Sequence, residues 1–530
     1  MHGFLSADHP FLKKHADRIT GVLSCLDRVI FRGYLPICHP RGLLGWLHQQ
    51  GVDYWHFKDY APQLAERLLE HAKDMARRTG RLYEYQSTRQ PKEQLAREIA
   101  ARDGIREGLV CVFSCLETCR TFRLRYGKGR PCLTPDLRRC TVIYYFWMHR
   151  DFGLIHIKLH TWLPLTCQVY INGHSWLERQ LQKHGIAYRA ADNTFLDIAD
   201  LSAAQRLADR LLRQKWPRWL TAWARQVNPL LADILHYPNG DSMEYYWVTD
   251  QAEYATDVMF RDRQALAGLY PALLEHATLA LGSEDVLRFL GRKPSPHFKG
   301  EVQTERKRVP ISERHPRLDA VRVKHVMKTN RLKMYDKAGQ VLRIETVIND
   351  PTQFRVRRWQ SKHGKRRLAW LPLRKGVAWL WRYAEVSLAA NRRYLEALAV
   401  VEDPTPVRHL IDRACQSVPW RKRRHRALQP LSPHDQALFL AALRGEHHLH
   451  GLRNRDLAQR LYGPPAKDKA QRRRQSAHVT RLIHLLRAHR LLAKVPCSRR
   501  YRITPNGHRL MNAAIYVRYK HLPKELSEVA

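Results

Sequence analysis

Five carboxylates could between them hold divalent cations: Asp27 at the start of a β-rich run, Asp192 before Asn193, Glu253 and Asp257 four residues apart, and Glu345. Three or four such groups, drawn from distant segments, can fix two cations ~3.5–4 Å apart around an in-line attack on phosphorus by water or a 3′-hydroxyl. The set expected to bind metal is Asp27, Glu253, Asp257 and Glu345, with Mg2+ as the cation. The spacing of Glu253 and Asp257 predicts one face of a helix, a pattern solvated helices also carry. Tyr335 offers another route, covalent attack on phosphorus, beside the plainer role of a strand aromatic. His156 and His160 in LIHIKLH share a strand face and could chelate, although half-buried strand histidines are more often ordinary packing. Cys111, Cys115, Cys119, Cys132 and Cys140 invite a zinc reading, but they alternate with strand formers and lack the usual ligand spacing, so buried thiols are expected. His174 of Asn172-Gly173-His174 opens a helix, where it would cap or contact phosphate.

The elements that must position these groups read as an α+β fold, an antiparallel-sheet body with helical segments followed by a C-terminal winged helix-turn-helix domain. Residues 1–290 form the body. ITGVLSCLDRVIFRGYL predicts a strand near Val29, 58–103 a helix, and GLVCVFSCL, RTFRLRYG, TVIYYFWM, LIHIKLHTW and TCQVYI short strands, with a hairpin at Arg150-Asp151-Phe152-Gly153. A helix follows at His174–His184, and 200–290 reads as helical, interrupted at Tyr237-Pro238-Asn239-Gly240. A basic linker (291–317) leads to a unit over 318–403, begun by two strands joined at Asp336–Gln340 and closed by a helical stretch. A second basic linker (404–432) precedes the terminal domain, 433–530.

Lys333-Met334-Tyr335-Asp336-Lys337, a short turn and Leu342-Arg343-Ile344-Glu345 resemble the paired strands of rolling-circle replication initiators. That resemblance covers about 25 residues and implies Tyr335 as nucleophile and Glu345 as metal ligand or base. The His-hydrophobic-His motif of related nickases is absent, since His156 and His160 are four apart. After Pro433 the order is helix, helix, basic loop, helix, then LLAKVPCSRRYRITPNGHRLM, which resembles the winged helices of MarR-like bacterial regulators. The resemblance implies a recognition helix in the major groove and a wing on the flanking backbone. Arg472, Arg473 and Arg474 would open that helix, His478 and Arg481 lie a turn apart on its exposed face, and Arg499 and Arg500 would tip the wing. A winged helix can instead dock protein. Over its length the chain also resembles a bacterial protein family that carries no assigned activity.

Charge sets the partner class. The chain holds 92 Lys and Arg against 49 Asp and Glu, a formal +43, and a polyanion is the simplest reason to tolerate that self-repulsion. No acid occurs from Pro351 to Ala384, where Arg357, Arg358, Trp359, Lys365, Arg366 and Arg367 mix cations with an aromatic that can stack on bases; the competing reading is a helix with core tryptophans. No apolar run reaches the ~18–20 residues of a spanning helix, and the charged N-terminus lacks a signal-peptide core, so a cytoplasmic protein without a membrane partner is expected. DNA is the first expected partner and RNA the second, and an oligomer is compatible. The composite expectation is a DNA-processing protein of a mobile element, transposase- or recombinase-like with Mg2+. Its rivals are a replication initiator, and a non-enzymatic DNA- or RNA-binding regulator or RNA-associated scaffold.

Overall fold

The computed structural model describes residues 8–127, 130–279, 281, 283–291, 302–310, 319–362, 365–401, 407–421, 423–443, 451–466, 468–495 and 498–518. The fold is mixed α+β, and the chain divides into two compact units, Met1–Gly268 with Glu305–Arg393, and Leu269–Thr304 with Tyr394–Ala530. Among the described residues no helix is long and apolar enough to cross a membrane.

Eleven strands make one sheet: β1 (Ile19–Tyr34), β2 (Leu82–Tyr85), β3 (Gly108–Gly127), β4 (Arg130–His149), β5 (Gly153–His160) and β6 (Cys167–Asn172), then, after the separate pair β7 (Tyr188–Ala190) and β8 (Phe195–Ile198), β9 (Tyr246–Phe260), β10 (Val302–Pro310), β11 (Asp319–Met327), β12 (Asn330–Lys337) and β13 (Val341–Ile348). The spatial order is β10-β11-β12-β13-β9-β1-β6-β5-β4-β3-β2. β2 runs parallel to β3, while β1, β9, β12 and β13 at the centre are antiparallel. Every residue of β13, VLRIETVI, is buried, so its three polar members, Arg343, Glu345 and Thr346, must find partners inside the protein.

Five readings are corrected by these elements. The stretch 200–290 is not helical throughout, because YWVTDQAEYATDVMF forms the central strand β9; both its faces are covered, which removes the simple alternation that marks half-exposed strands. The helix expected over 58–103 is two, Phe57–Arg78 and Lys92–Arg102, broken at Gly80, whose φ of +63° ends the first, with β2 between them. Residues 319–348 carry three strands rather than two, the extra turn falling at Lys328 (φ +55°). These strands also extend the main sheet, so they do not open a separate unit, and β10 lies within the supposed linker.

Most of the acid-free stretch is a two-stranded hairpin, β14 (Arg355–Lys362) with β15 (Lys365–Pro372), that leaves Trp359 and Trp370 exposed, so the reading of a helix with core tryptophans falls for these two. Beyond it, Asn391 on the helix Leu380–Leu398 accepts from Thr346 Oγ1 (2.7 Å) and donates to Tyr254 O (3.1 Å), covering one face of the sheet at β9 and β13. Gln205, on the helix Leu201–Leu211, exchanges two hydrogen bonds with the Ser24 backbone of β1. The opposite face of these strands is the one that carries Glu253, Asp257, Arg343 and Glu345.

In the second unit, the supposed linker 404–432 holds the helix Val407–Ala414 and the pair β16 (Val418–Trp420) and β17 (Arg423–His425). Helices Pro433–Ala442, Asn454–Tyr462 and Lys469–Ala488 follow, then β18 (Leu492–Lys494), β19 (Tyr501–Ile503) and the helix Pro505–Tyr516. Leu438, Phe439, Leu457, Val479, Leu482 and Met511 are among the side chains of one apolar core.

Candidate catalytic cleft

A cleft of about 850 Å³ opens on the polar face of the sheet, within the first unit, and its lining includes Asp27, Arg28, Arg97, Arg322, Lys333 and Lys337. A register shift builds its floor. In the β1–β9 pairing Leu26 faces Tyr254 and Arg28 faces Glu253, so Asp27 is an extra residue, and a bulge of this kind re-aims a side chain that regular alternation would send elsewhere. Gly173, at the start of the helix Gly173–Lys183, permits the bulge: a Cβ there would lie 1.8 Å from Leu26 O.

Asp27, Glu253 and Glu345 are all buried, and each brings a carboxylate oxygen within 4.8 Å of the other two. Glu345 stands beside Ala255 on the neighbouring strand, diagonal to Glu253. Lys333, directly across from Glu345, places Nζ 2.6 Å from Glu345 Oε1 and 3.5 Å from Glu253 Oε2. The Tyr335 hydroxyl donates to Glu345 Oε2.

Asp257 does not join the three acids. Four residues along a strand is about 13 Å, so Glu253 and Asp257 share a face without sharing a ligand. Arg343, opposite Asp257 in the register, donates from Nε (2.6 Å) and Nη2 (2.7 Å) to its two oxygens, and Thr194 Oγ1 donates to it as well. Asp257 is therefore corrected from cation ligand to counter-ion of a guanidinium with no exposed surface. Arg343 Nη1 also lies 3.4 Å from Asp27 Oδ1, and Asn193 Nδ2 donates to that oxygen. His174, expected at a helix cap, is buried between Asp27 and Asp257, at 3.1 and 3.3 Å; Asn172 caps the helix instead, accepting from Ser175 N. Asp192, with φ +50°, lines the cleft.

Electrostatics separates the three acids. Burial acts to raise all of them. In Asp27 it is overcome by Arg343 and His174, which hold the carboxyl well below its usual range. In Glu345 it is overcome by Lys333, again lowering the pKa. In Glu253 burial and the neighbouring Glu345 prevail over Lys333, and the carboxyl is pushed up to about 8. Burial and Glu345 hold the Tyr335 phenol well above its ordinary value. The floor can thus donate three oxygens to one hard cation once Glu253 gives up its proton.

His156 stacks on Tyr170 with ring centroids 4.6 Å apart, and no metal-holding group among the described residues includes His156 or His160. Cys111, Cys115, Cys119 and Cys140 are buried free thiols. Lys333, Arg343, Asn193 and Thr194 escaped the sequence reading. For Lys333 and Arg343 the signal was alternation, Lys-x-Tyr on one strand and Arg-x-Glu on the next, which sets Lys333, Tyr335, Arg343 and Glu345 on one face, whereas nothing in the sequence marks Asn193 and Thr194.

The cationic residues fall in two places. Arg472, Arg473 and Arg474 are exposed in the first turns of the helix Lys469–Ala488, and Arg481 is exposed further along it, while His478 is half-buried and bonded to the Tyr462 hydroxyl. Arg499 is exposed and Arg500 half-buried in the connection between β18 and β19. Arg357, Trp359, Arg366 and Arg367 are exposed on the β14–β15 hairpin, Arg358 is half-buried, and the Lys365 side chain lies outside the described residues. Comparison with protein-family models, with curated proteins and with solved structures finds no match to this chain.

Proposed function

We propose that this protein binds nucleic acid and cleaves its phosphodiester backbone in the cleft, using one divalent cation, Mg2+ by preference, held by Asp27, Glu253 and Glu345. The observation that carries the reading is the convergence of these three buried carboxylates in a cleft whose lining also holds Arg97, Arg322 and Lys337, beside the acids Glu93, Glu178 and Asp192. Three hard oxygens suit Mg2+ over softer metals, and the cation would supply Lewis-acid stabilisation of charge on phosphorus. Lys333 adds a second positive charge beside it. The order of helices and the β18–β19 hairpin in the second unit supports a winged helix as the duplex-binding module, with Arg472, Arg473, Arg474 and Arg481 toward phosphate. Transposition or recombination is the biological setting this combination suits.

One observation favours a second reading. The Tyr335 hydroxyl already donates to Glu345, the arrangement a tyrosine nucleophile needs to lose its proton, as in a replication initiator. The test is incubation of the full chain with supercoiled plasmid, circular single-stranded DNA and RNA, with Mg2+ or with chelator. Cleavage that needs the cation and falls at least 100-fold in Asp27→Asn and Glu345→Gln is the expected result. A Tyr335→Phe variant that keeps activity assigns the attack to water or hydroxyl, whereas its loss together with a protein–DNA adduct in the wild type assigns it to the tyrosine. Absence of cleavage on every substrate, with or without cation, overturns both.

A further inference from the structure

The hairpin β14–β15 stands outside the eleven-stranded sheet, pairs among the described residues only within itself, and is not used by the cleavage reading. Its register puts Arg355, Arg357 and Trp359 on the same face as Arg366, Leu368 and Trp370. Every one of these is exposed, Trp359 by 60% and Trp370 by 53%. Two large apolar rings left this open on a small hairpin are costly unless something covers them.

Charge identifies the cover. No acid occurs from Pro351 to Ala384, so an acidic partner is favoured and a basic one repelled. The rings carry cations of their own: the Arg366 guanidinium lies 5.8 Å from the Trp359 centroid and that of Arg382 5.4 Å from the Trp370 centroid. Because Trp359 faces Leu368 and Trp370 faces Arg357, the two tryptophans are diagonal neighbours across the ladder, at roughly 7–8 Å. That spacing matches two bases splayed along an extended strand, with Arg355 and Arg357 left to meet their phosphates. A duplex cannot use such a surface, because its base faces are already stacked within the helix.

We infer that the exposed face of the β14–β15 hairpin binds unpaired nucleotides, Trp359 and Trp370 each stacking on one base. The inference rests on the nucleic-acid reading and deepens it, because it gives the substrate a single-stranded segment.

The experiment uses the full chain, fluorescently labelled dT12, the matching U12 RNA and a paired 12-mer, with anisotropy at low and moderate salt. Trp359→Ala and Trp370→Ala should each weaken single-strand binding roughly tenfold and change duplex binding less than twofold, while Trp359→Phe recovers most of the loss. Tryptophan fluorescence of the wild type should be quenched by dT12 and less so in either alanine variant, a change that phosphate contact alone does not cause. The two polymers distinguish DNA from RNA as the source of the bases. Alanine variants that bind dT12 and U12 as the wild type does, or that lose duplex binding equally, overturn the inference while leaving the cleft reading intact. Binding of the hairpin to phosphatidylserine vesicles, lost in both variants without any effect on oligonucleotides, overturns it in favour of a membrane surface. A wild type that binds no polynucleotide at all overturns the underlying reading instead.

Discussion

Glu253 and Glu345 are the same residue type a few ångströms apart, and their surroundings give them opposite states. Glu253 holds its proton to about pH 8, against an ordinary value of 4.5. The folded, cation-free chain therefore binds a proton that the unfolded chain has lost, so stability falls as pH rises from about 4.5 to about 8 and levels off above. Glu253→Gln cannot ionise, and at pH 9 without cation it should unfold at higher urea than the wild type, by on the order of 1–3 kcal/mol, with no difference near pH 4. Cation affinity, read by calorimetry, should weaken up to about tenfold per pH unit below pH 8, because proton and metal compete for one carboxylate. Arg343 is the second residue whose neighbours decide its role. It has no exposed surface and faces Asp257 and Asp27, so Arg343→Met strands two buried charges and should cost roughly 3–5 kcal/mol in urea unfolding. Adding Asp257→Asn to that variant should recover part of the loss; if it recovers none, the arginine acts through its bulk.

At the scale of elements, the bulge in β1 and the close approach of the Gly173–Lys183 helix set where Asp27 points. Gly173→Ala would drive a methyl group against the Leu26 carbonyl, and we expect a loss of about 1–3 kcal/mol with weaker cation binding. Gly45, inside the helix Pro40–Gln49 with open space around it, provides the contrast: Gly45→Ala should stabilise by ~0.5–1 kcal/mol. Thermal unfolding of both variants checks the pair. This scale also marks where the sequence was readable. Asp27 and Glu345 stood out because each interrupts a run of strand formers. For Glu253 and Asp257 the shared face is legible but the element is not, since a spacing of four satisfies a helix and a strand alike. Lys333 and Arg343 do not stand out because, among 92 cations, one more carries no signal until its strand partner is known. The bulge was illegible for a different reason: it is enforced by Gly173 and Asn193, both more than a hundred residues away.

For the molecule as a whole, the formal charge of +43 should dominate association with any polyanion. Binding should weaken steeply with salt, and replacing Arg472, Arg473 and Arg474 together by alanine should lower the slope of log affinity against log salt by about two to three on a duplex. An unchanged slope would remove the Lys469–Ala488 helix from the interface. The division of the chain has a consequence for its biosynthesis. Asp27 and Glu253 belong to the segment Met1–Gly268, while Lys333, Arg343 and Glu345 belong to Glu305–Arg393, after the chain has left to build part of another unit and returned. A nascent polypeptide halted during that excursion owns two of the three acids and lacks both Lys333 and Arg343. Ribosomal stalling or early proteolysis within that excursion would thus yield fragments that lack the third carboxylate, and the acidic triad is complete only once residue 345 has been translated.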